Sequence, residues 1–369
     1  MNNLPKDWEL VDLIKLSYFK GLTPSLLKNV VDNYNSYLEF IEADLPPNLN
    51  ILINQGELFK RKQIVPNVEA EKQLETCNNH QINICTIWDE NYPLLLNEIH
   101  QSPAFFFYKG SLDKINSPTI SIVGTRKCST YGKINTRRYA NYFASKGVNI
   151  VSGLAYGIDT EAHLGAIESG GITFSVIASG IDKLSPQTAI SNSEKIIESG
   201  GALISTYHCG VRALPPFFLQ RNRIISGLSS ATLVVESKVK GGSLNTAKFA
   251  RDQDREVFAV PGNITSINSE GTNALIRDGL AKLTNSPESL FKELLFDYSS
   301  KIQLIDSVEL NFATKDEENI YAILSFEPIH IDELVNKVNT NMSQLLVCLL
   351  NMEFSGSIKQ LPGKYYIRN

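Results

Sequence analysis

Six short segments rich in apolar and β-prone residues follow one another between Thr119 and Gly262, and they constrain the fold more than any other feature of the chain. They are TISIVG (119–124), VNIVSG (148–153), ITFSVIASG (172–180), GALIST (201–206), ATLVVES (231–237) and EVFAVPG (256–262). Helical patterns separate these segments, and this alternation is typical of a parallel β-sheet that is covered by helices on both faces. An α/β domain is therefore predicted over residues 66–298.

Each of these six segments ends in glycine or in a small polar residue. The carboxyl ends of parallel strands meet at one edge of a sheet, where glycine turns and helix N-termini let backbone amides approach an anion. We therefore expect one continuous anion-binding edge.

Smaller domains are predicted on both sides of the sheet. Residues 1–65 carry apolar residues every three or four positions, and Thr23 followed by Pro24 predicts a helix start inside a turn similar to a SAM-like or helix-hairpin-helix element. A polar linker is predicted over residues 299–310. Residues 311–369 follow the order helix, helix, turn, helix and glycine-broken hairpin, which indicates a winged helix.

The composition excludes several classes of protein. Of the 369 residues, 43% are apolar and 20% are charged, as in ordinary globular proteins. No run of about 18 uncharged apolar residues occurs and no signal-like segment begins the chain, so we expect no membrane span and a cytoplasmic location. The five cysteines lack metal-ligand spacing, which argues against zinc and against a disulfide framework. Because the formal net charge is −4, any basic surface must be local.

The loops after the first two segments carry anion-binding residue types. Gly124 permits a turn, Arg126 offers a planar fork of N–H donors, and Ser129 adds a hydroxyl. Ser152 and Gly153 close the second segment ahead of a helix start. A plain surface loop with a salt-bridged arginine explains the first loop equally well, because it matches no nucleotide-binding motif.

The segment PPFFLQRNR combines aromatic and basic residues. Phe218 precedes Arg221, Asn222 and Arg223, so that bases can stack on a ring while arginines contact phosphates. This mixture suits a single strand. The alternative places the phenylalanines in the core, and we expect one of Phe217 and Phe218 to be buried.

The glycine-rich loop after the fifth segment is a further anion-binding candidate. Gly241 and Gly242 precede Ser243 and Thr246 at a predicted helix start. Glu236, at the end of the strand, is expected to orient a neighbouring arginine.

Five motifs taken together, VGTRKCSTYG, VSGLAYGID, QRNRIISGLS, GGSLNTA and EVFAVPGN, resemble in order and spacing the DNA-processing protein A family (DprA, also called Smf) over residues 120–283. The resemblance implies an extended Rossmann-like domain with a SAM-like helical domain before it and a winged helix after it. It implies a homodimer that binds single-stranded DNA without hydrolysing it, protects incoming DNA and helps load the RecA recombinase in natural transformation and recombination.

The motifs and the loops described above predict which residues contact single-stranded DNA. They are Gly124, Arg126, Ser129, Ser152, Gly153, Phe218, Arg221, Asn222, Arg223, Ser243 and Thr246. The chain departs from the family pattern at Leu219, where a proline is usual, and at Pro215 and Pro216, where a basic residue is often found.

Two other functions fit parts of the sequence. The glycine-rich loop resembles that of phosphoribohydrolases of the lysine-decarboxylase-like type, but their PGGxGTxxE motif places a catalytic glutamate where this chain has Lys248 and Arg251. A transcriptional regulator would use the winged helix to read a duplex, yet residues 301–369 hold 6 Lys+Arg and 9 Asp+Glu, a net charge of −3. Asp159 and His163 are interpreted as a helix-capping aspartate and a packed histidine. We therefore expect no enzymatic activity, no cofactor and no metal.

Overall fold

A nine-stranded sheet lies in the first of two units, residues 1–297 and 298–369, into which the chain divides. The computed structural model describes residues 4–19, 22–43, 67–184, 187–298, 314–324, 329–338, 340–354, 357–361 and 363–368. The strands of the large sheet are β1 (Asn83–Thr86), β2 (Phe105–Gly110), β3 (Thr119–Val123), β4 (Asn149–Ser152), β5 (Thr173–Val176), β6 (Ala202–Ser205), β7 (Ala231–Val234), β8 (Glu256–Ala259) and β9 (Lys282–Leu283). The six predicted segments form β3 to β8, so the predicted α/β fold is confirmed.

The strand order is β1-β2-β6-β5-β4-β3-β7-β8-β9. The strands from β6 to β9 in this order pair in parallel, whereas β1 and β2 extend the sheet in antiparallel pairing. The chain passes from β3 outward through β4, β5 and β6, and it then returns to place β7 on the other side of β3. A crevice therefore opens beyond the carboxyl ends of β3 and β7, where ligands of open α/β sheets bind.

Helices cover both faces of the sheet. They are α4 (Asn67–Asn79), α5 (Leu94–Asn97), α6 (Thr130–Ser145), α7 (Ile158–Glu168), α8 (Gln187–Glu198), α9 (Pro215–Gly227), α10 (Gly242–Asp252), α11 (Glu270–Arg277) and α12 (Pro287–Tyr298). Alternate residues of a strand point to opposite faces, so Ile122 packs with Phe143 of α6 and Ala162 of α7, whereas Val123 packs in a second cluster with Ile224 of α9. Burying each large apolar side chain stabilises the fold by roughly 1.5–3 kcal/mol.

Three helices precede the sheet, as predicted for the N-terminal module. They are α1 (Leu10–Ser17), α2 (Pro24–Asn33) and α3 (Tyr37–Glu42). The predicted helix start is confirmed, because the Thr23 hydroxyl accepts from the Leu26 amide and Pro24 is the first helical residue. The Ser17 hydroxyl contacts His208 at 2.9 Å and so joins the module to the sheet. The predicted boundary near residue 65 lies outside the described residues.

The second unit has the predicted winged-helix order. Its elements are α13 (Lys315–Ile323), β10 (Ile329–His330), α14 (Ile331–Val338), α15 (Met342–Phe354), β11 (Ile358–Leu361) and β12 (Tyr365–Arg368). Ile320, Leu334, Leu345 and Tyr366 belong to its apolar core, and β11 and β12 form an antiparallel hairpin. The predicted linker, residues 299–310, lies outside the described residues. Within the described part of both units, no helix is long and apolar enough to cross a bilayer.

Candidate nucleic-acid interface

A cavity of 420 Å³ lies at the carboxyl ends of β3 and β7, where the strand order reverses. Its wall includes Gly124 and Arg126 after β3, Lys238 and Lys240 after β7, and the first turns of α10. Position 124 requires glycine, because a Cβ atom there would lie 2.5 Å from Cγ1 of Ile158. The backbone of the first loop therefore approaches α7 closely and presents Arg126 at the edge of the sheet.

An aromatic ring and two guanidinium groups contact one another in this cavity. Phe218, on α9, is half-buried, and the guanidinium carbons of Arg126 and Arg221 lie 4.8 Å and 5.8 Å from its ring centroid. Such contacts contribute roughly 0.5–2 kcal/mol each and restrain the long side chains. Arg126 is exposed and Arg221 is buried. An exposed cation is thus held beside an aromatic surface.

Arg221 is anchored from below the surface. Its Nη1 donates to the Val176 carbonyl, and its Nε donates to Oδ1 of Asn222 at 3.2 Å. A Cβ atom at Gly153 would lie 2.5 Å from both Nη1 of Arg221 and Oδ2 of Asp159, so glycine at this strand end admits the two charged groups. Burial lowers the pKa of Arg221, and the nearby carboxylate opposes that shift.

Asp159 is the acidic partner in this arrangement, and its pKa is raised. Burial raises the pKa to about 6, although Arg221, the Ala155 backbone and Arg126 each act to lower it. The capping prediction for Asp159 is wrong, because Gly157 occupies the N-cap position of α7. A carboxyl with this pKa changes its charge near neutral pH, directly beneath the cavity.

The packed-histidine prediction for His163 is confirmed. The ring is buried, with Nε2 at 2.6 Å from the Gly153 carbonyl and Nδ1 at 2.7 Å from the Thr173 hydroxyl. Burial lowers the pKa of His163 to about 4, so the ring is neutral at pH 7. Its contacts are with the interior of the sheet.

A second cavity, of 510 Å³, continues the first along the edge of the sheet. The two share Ala155, Phe218 and Arg221, and the second adds Lys183 and Arg212. We call the two cavities together the strand-end groove. Its lining contains the cations Arg126, Lys183, Arg212, Arg221, Lys238 and Lys240 and the carboxylates Asp159 and Asp182, an excess of four positive charges. The formal charge of the whole chain is −4, so the basic surface is local, as expected.

Most of the predicted contact residues meet in this groove. Those that line it are Gly124, Arg126, Phe218, Arg221, Asn222, Ser243 and Thr246. Ser243 and Thr246 are buried in the first turns of α10, and the Ser243 hydroxyl donates to Ser237 at 2.9 Å. The Ser243 hydroxyl therefore orders the loop from within.

Four predicted contact residues lie elsewhere. Ser129 caps α6, and its amide and hydroxyl bond to Glu236 at 2.9 Å and 2.5 Å. Ser152 is buried and donates to the Ile122 carbonyl at 2.6 Å, while Gly153 makes room beneath Arg221. Arg223 faces a different cavity.

Two expectations about side-chain environment are wrong. Among the described residues no arginine pairs with Glu236, whose carboxylate bonds to Ser129 because the N-cap amide and hydroxyl of α6 point to it. Neither Phe217 nor Phe218 is buried. Both are partly buried, because α9 begins at Pro215 and presents them near the surface, where Phe217 stacks on Tyr207 at a centroid distance of 4.5 Å.

Four cations of the groove were not predicted as contacts. Lys238 and Lys240 stand directly before the glycine pair of the fifth loop, and this position next to a strand end was a signal that could have identified them. Lys183 and Arg212 follow β5 and β6 at a greater distance. Their approach to Phe218 depends on loop conformation, which sequence pattern does not provide.

The described ranges contain no set of side chains suited to bind a metal ion. There, no group of three or more His, Cys, Asp or Glu side chains could hold a metal ion. What the groove offers is fixed positive charge, an aromatic ring and backbone turns, which are the components of an anion-binding surface.

The sequence and the fold match known proteins along most of the chain. The family model named DNA recombination-mediator protein A matches residues 83–295, and the DprA winged helix domain model matches residues 310–364. Protein Smf of Escherichia coli strain K12 is 35% identical over 299 residues, which are 79% of this chain and 78% of that protein. DNA processing protein DprA of Streptococcus pneumoniae is 39% identical over 211 residues, which are 57% of this chain and 74% of that protein.

Solved structures agree with these matches. The X-ray structure of DNA processing protein A from Streptococcus pneumoniae superposes with a TM-score of 0.63 at 32% identity and covers 76% of this chain and 95% of that one. A structure that describes the single-stranded DNA binding mode of DNA processing protein A from Helicobacter pylori superposes with a TM-score of 0.53 at 26% identity, covering 59% of this chain and 97% of that one. The chain therefore belongs to the DNA recombination-mediator protein A family, whose members are named DprA or Smf.

Proposed function

We propose that this protein binds single-stranded DNA in the strand-end groove without reading its sequence, protects incoming DNA, and helps load RecA in the cytoplasm during natural transformation and recombination. The observation that carries the proposal is the exposed guanidinium of Arg126, held 4.8 Å from the Phe218 ring inside a groove with excess positive charge. The single-stranded DNA binding mode described for the Helicobacter pylori relative supports single-stranded DNA as the ligand.

The groove suits a single strand because unpaired bases expose their faces. A base stacked on an aromatic side chain contributes roughly 1–3 kcal/mol whatever its identity, since every base has a π-face. The remaining groups, Arg126, Lys238 and Lys240, are cations that contact phosphates, and phosphate contacts carry no sequence information. We therefore expect similar affinities for different base sequences.

The proposal assigns no bond-breaking step to this protein. Asp159 lies beside Arg221 under the groove, and His163 bonds to the interior of the sheet, so the two do not act as an acid–base couple on a bound strand. The helix after the glycine-rich loop carries Lys248 and Arg251 at its surface. Purified protein should accordingly release no base from nucleoside monophosphates.

Gel-shift competition between single-stranded and duplex DNA tests the proposal. The labelled single strand should remain bound in the presence of excess unlabelled duplex, and it should be displaced by unlabelled single strands of unrelated sequence. Displacement by duplex at the same concentration would refute the proposal. RecA assembly on single strands coated with a single-strand-binding protein should be faster when the protein is present, and an unchanged rate would refute the loading role alone.

The pKa of Asp159 predicts a pH dependence of binding. This carboxyl is mostly protonated below pH 6 and gains a negative charge beneath the groove as the pH rises through about 6. Affinity for single-stranded DNA should therefore fall severalfold between about pH 5 and pH 7, in the range expected for one charge near a protein surface. Fluorescence anisotropy at constant ionic strength measures this.

The control is Asp159→Asn, in which the affinity for single-stranded DNA should change little between about pH 5 and pH 7. The same shift has a consequence for stability, because the folded state binds the proton more tightly than the unfolded state does. The contribution of Asp159 to the free energy of unfolding should decrease as the pH rises from about 4 to about 6. A wild-type profile no steeper than that of Asp159→Asn would contradict the assigned charge state.

We propose that the homodimer buries an apolar patch beside the β3–α6 loop. Ile264 is 90% exposed and Ile267 is 60% exposed in the loop after β8, and the Tyr131 hydroxyl donates to the Pro261 carbonyl of that loop at 2.7 Å. Ile134, one turn further along α6, is also exposed. Exposed apolar side chains that cluster in this way mark interaction surfaces.

Replacing Ile264 by aspartate should convert the dimer to a monomer, because the interface would then bury an unpaired carboxylate. Analytical ultracentrifugation at several concentrations measures the association. Val68→Asp is the matched control, since Val68 is an exposed valine, 69% accessible, on α4. A dimer that persists in Ile264→Asp, or one lost equally in the control, would place the interface elsewhere.

A further inference from the structure

A third cavity, of 630 Å³, lies between the N-terminal helices and the sheet. It shares none of its described lining residues with the strand-end groove. Arg223 lines this cavity, whereas Arg221 lines the groove. Residues that are two positions apart in an α-helix point in directions about 200° apart around the helix axis. The two binding surfaces therefore lie on opposite sides of α9.

Arg223 brings a positive charge to this cavity, whose lining also includes the exposed carboxylate of Asp252. Its Nη1 donates to the carbonyl oxygens of Gln101, at 2.8 Å, and His100, at 3.5 Å. Burial lowers the pKa of the guanidinium, and across the described ranges no ion pair joins it to a carboxylate. A guanidinium has five N–H donors, so most of them remain available. Because Arg223 forms no ion pair with Asp252, the partly buried guanidinium favours the entry of an anion.

His208 lines the cavity and carries a buried ring nitrogen without a hydrogen-bond partner among the described residues. The Ser17 hydroxyl donates to the Ile14 carbonyl at 2.6 Å, so in the 2.9 Å contact between Ser17 and His208 it is Nε2 of the ring that donates. Burial lowers the pKa of His208 to about 4, which leaves the ring neutral and Nδ1 without a proton. Nδ1 is buried and has no hydrogen-bond partner among the described residues.

Two glutamine side chains that line this cavity also carry a buried oxygen without a hydrogen-bond partner. Oε1 of Gln101 and Oε1 of Gln253 are buried without a hydrogen-bond partner in the described structure. Both residues also hold Arg223, since Gln101 accepts from its guanidinium and Nε2 of Gln253 donates to its carbonyl at 2.9 Å. An unpaired buried acceptor is destabilising, so three around one cavity favour a ligand that supplies N–H donors as the side chains turn towards it.

Flat apolar surfaces complete the cavity. Phe105, Tyr207 and Phe249 line it, and Tyr207 is backed by the Phe217 ring at a centroid distance of 4.5 Å and an interplanar angle of 28°. Sites for small ligands have volumes of about 300–1,000 Å³, mostly apolar walls and a few convergent polar groups. The required ligand has an anionic group, a planar ring and several N–H donors.

We propose that this cavity binds a free mononucleotide, and guanine nucleotides in preference to others, with the phosphate on Arg223 and the N–H edge of the base against the unpaired acceptors. Guanine presents an amino group and a ring imino group on one edge, whereas thymine presents one imino group. The cavity lies on the opposite side of α9 from the strand-end groove. Its ligand is therefore a free nucleotide and not a nucleotide of the DNA bound in the groove.

Isothermal titration calorimetry of the full-length protein with dGMP, dTMP and inorganic phosphate tests the proposal. We expect dGMP to bind about tenfold more tightly than dTMP, and phosphate to bind more weakly than either. Arg223→Gln should weaken dGMP binding about tenfold or more, as expected for a lost charge-assisted bond to phosphate. Gln101→Leu should narrow the preference for dGMP over dTMP without loss of thermal stability.

Arg138→Ala, which removes an exposed arginine of α6 outside the lining of this cavity and of the strand-end groove, is the matched control, and it should leave dGMP affinity unchanged. A saturating single-stranded oligonucleotide should also leave it unchanged, and displacement of dGMP by the strand would overturn the assignment to a free nucleotide. Absence of dGMP binding at millimolar concentration, equal affinity for phosphate alone, or full dGMP affinity in a folded Arg223→Gln variant would overturn the site.

Discussion

Arg126→Ala should lower the affinity for single-stranded DNA about 10- to 100-fold, since a hydrogen bond to a charged group contributes roughly 1.5–3 kcal/mol and each 1.4 kcal/mol changes affinity tenfold. The guanidinium is exposed and held beside Phe218, so the substitution should remove both the proposed phosphate contact and the cation beside the ring. The slope of log affinity against log salt should become shallower by about 0.7, the value for one neutralised phosphate. Fluorescence anisotropy over a salt series measures both quantities.

Arg138→Ala is the matched control for this experiment. Arg138 is an exposed arginine on α6, 3.7 Å from Glu288 and outside the lining of the strand-end groove. Its removal changes the net charge by the same amount as Arg126→Ala but should alter affinity less than about twofold, because separated surface charges are screened by salt. Equal losses in the two variants would show that binding follows net charge alone.

Gly157→Ala should destabilise the fold by about 2–5 kcal/mol and also weaken DNA binding, because it combines backbone strain with overpacking. Gly157 has φ 81°, and a Cβ atom would lie 2.4 Å from the Thr125 carbonyl oxygen and 2.6 Å from the Arg126 carbonyl oxygen. The Ile158 amide donates to Thr125 at 3.3 Å, which ties this loop to α7. An alanine would push the loop away and displace Arg126.

Gly170→Ala is the control that separates the effect of backbone strain from the effect of displacing the loop that carries Arg126. Gly170 has φ 72° at the end of α7, and nothing lies within 4 Å of its Cβ position. This variant should lose about 1–2 kcal/mol, the cost of the left-handed conformation, and keep wild-type DNA affinity. Urea unfolding and anisotropy measure the two effects. If Gly157→Ala were no less stable than Gly170→Ala and bound DNA equally well, the close approach would have no functional role.

The sheet and its binding edge could be predicted because their cause is local in sequence. Each strand from β3 to β8 is a short apolar run closed by glycine or a small polar residue, and parallel pairing brings those ends together. The position of Gly124 and Arg126 at this edge was predicted in this way. The antiparallel strands β1 and β2 were not predicted, because β1 pairs only with β2, and β2 joins the sheet through β6, about a hundred residues further along the chain.

The separation of Arg221 from Arg223 shows where motif reading fails. Both arginines belong to one triplet, but the triplet lies within α9, so its first and third side chains point in nearly opposite directions. The proline pair at Pro215 and Pro216 is a helix-start signal that predicts this geometry. Ser129 was misassigned for a similar reason, since a serine at a helix N-cap uses its hydroxyl on the helix itself.

A crystal structure of the protein with a short oligothymidylate tests the central claim most directly. The strand should cross the carboxyl ends of β3 and β7 with phosphates at Arg126, Lys238 and Lys240 and a base against Phe218. A strand bound on another surface, with the guanidinium of Arg126 contacting no nucleotide, would contradict the account.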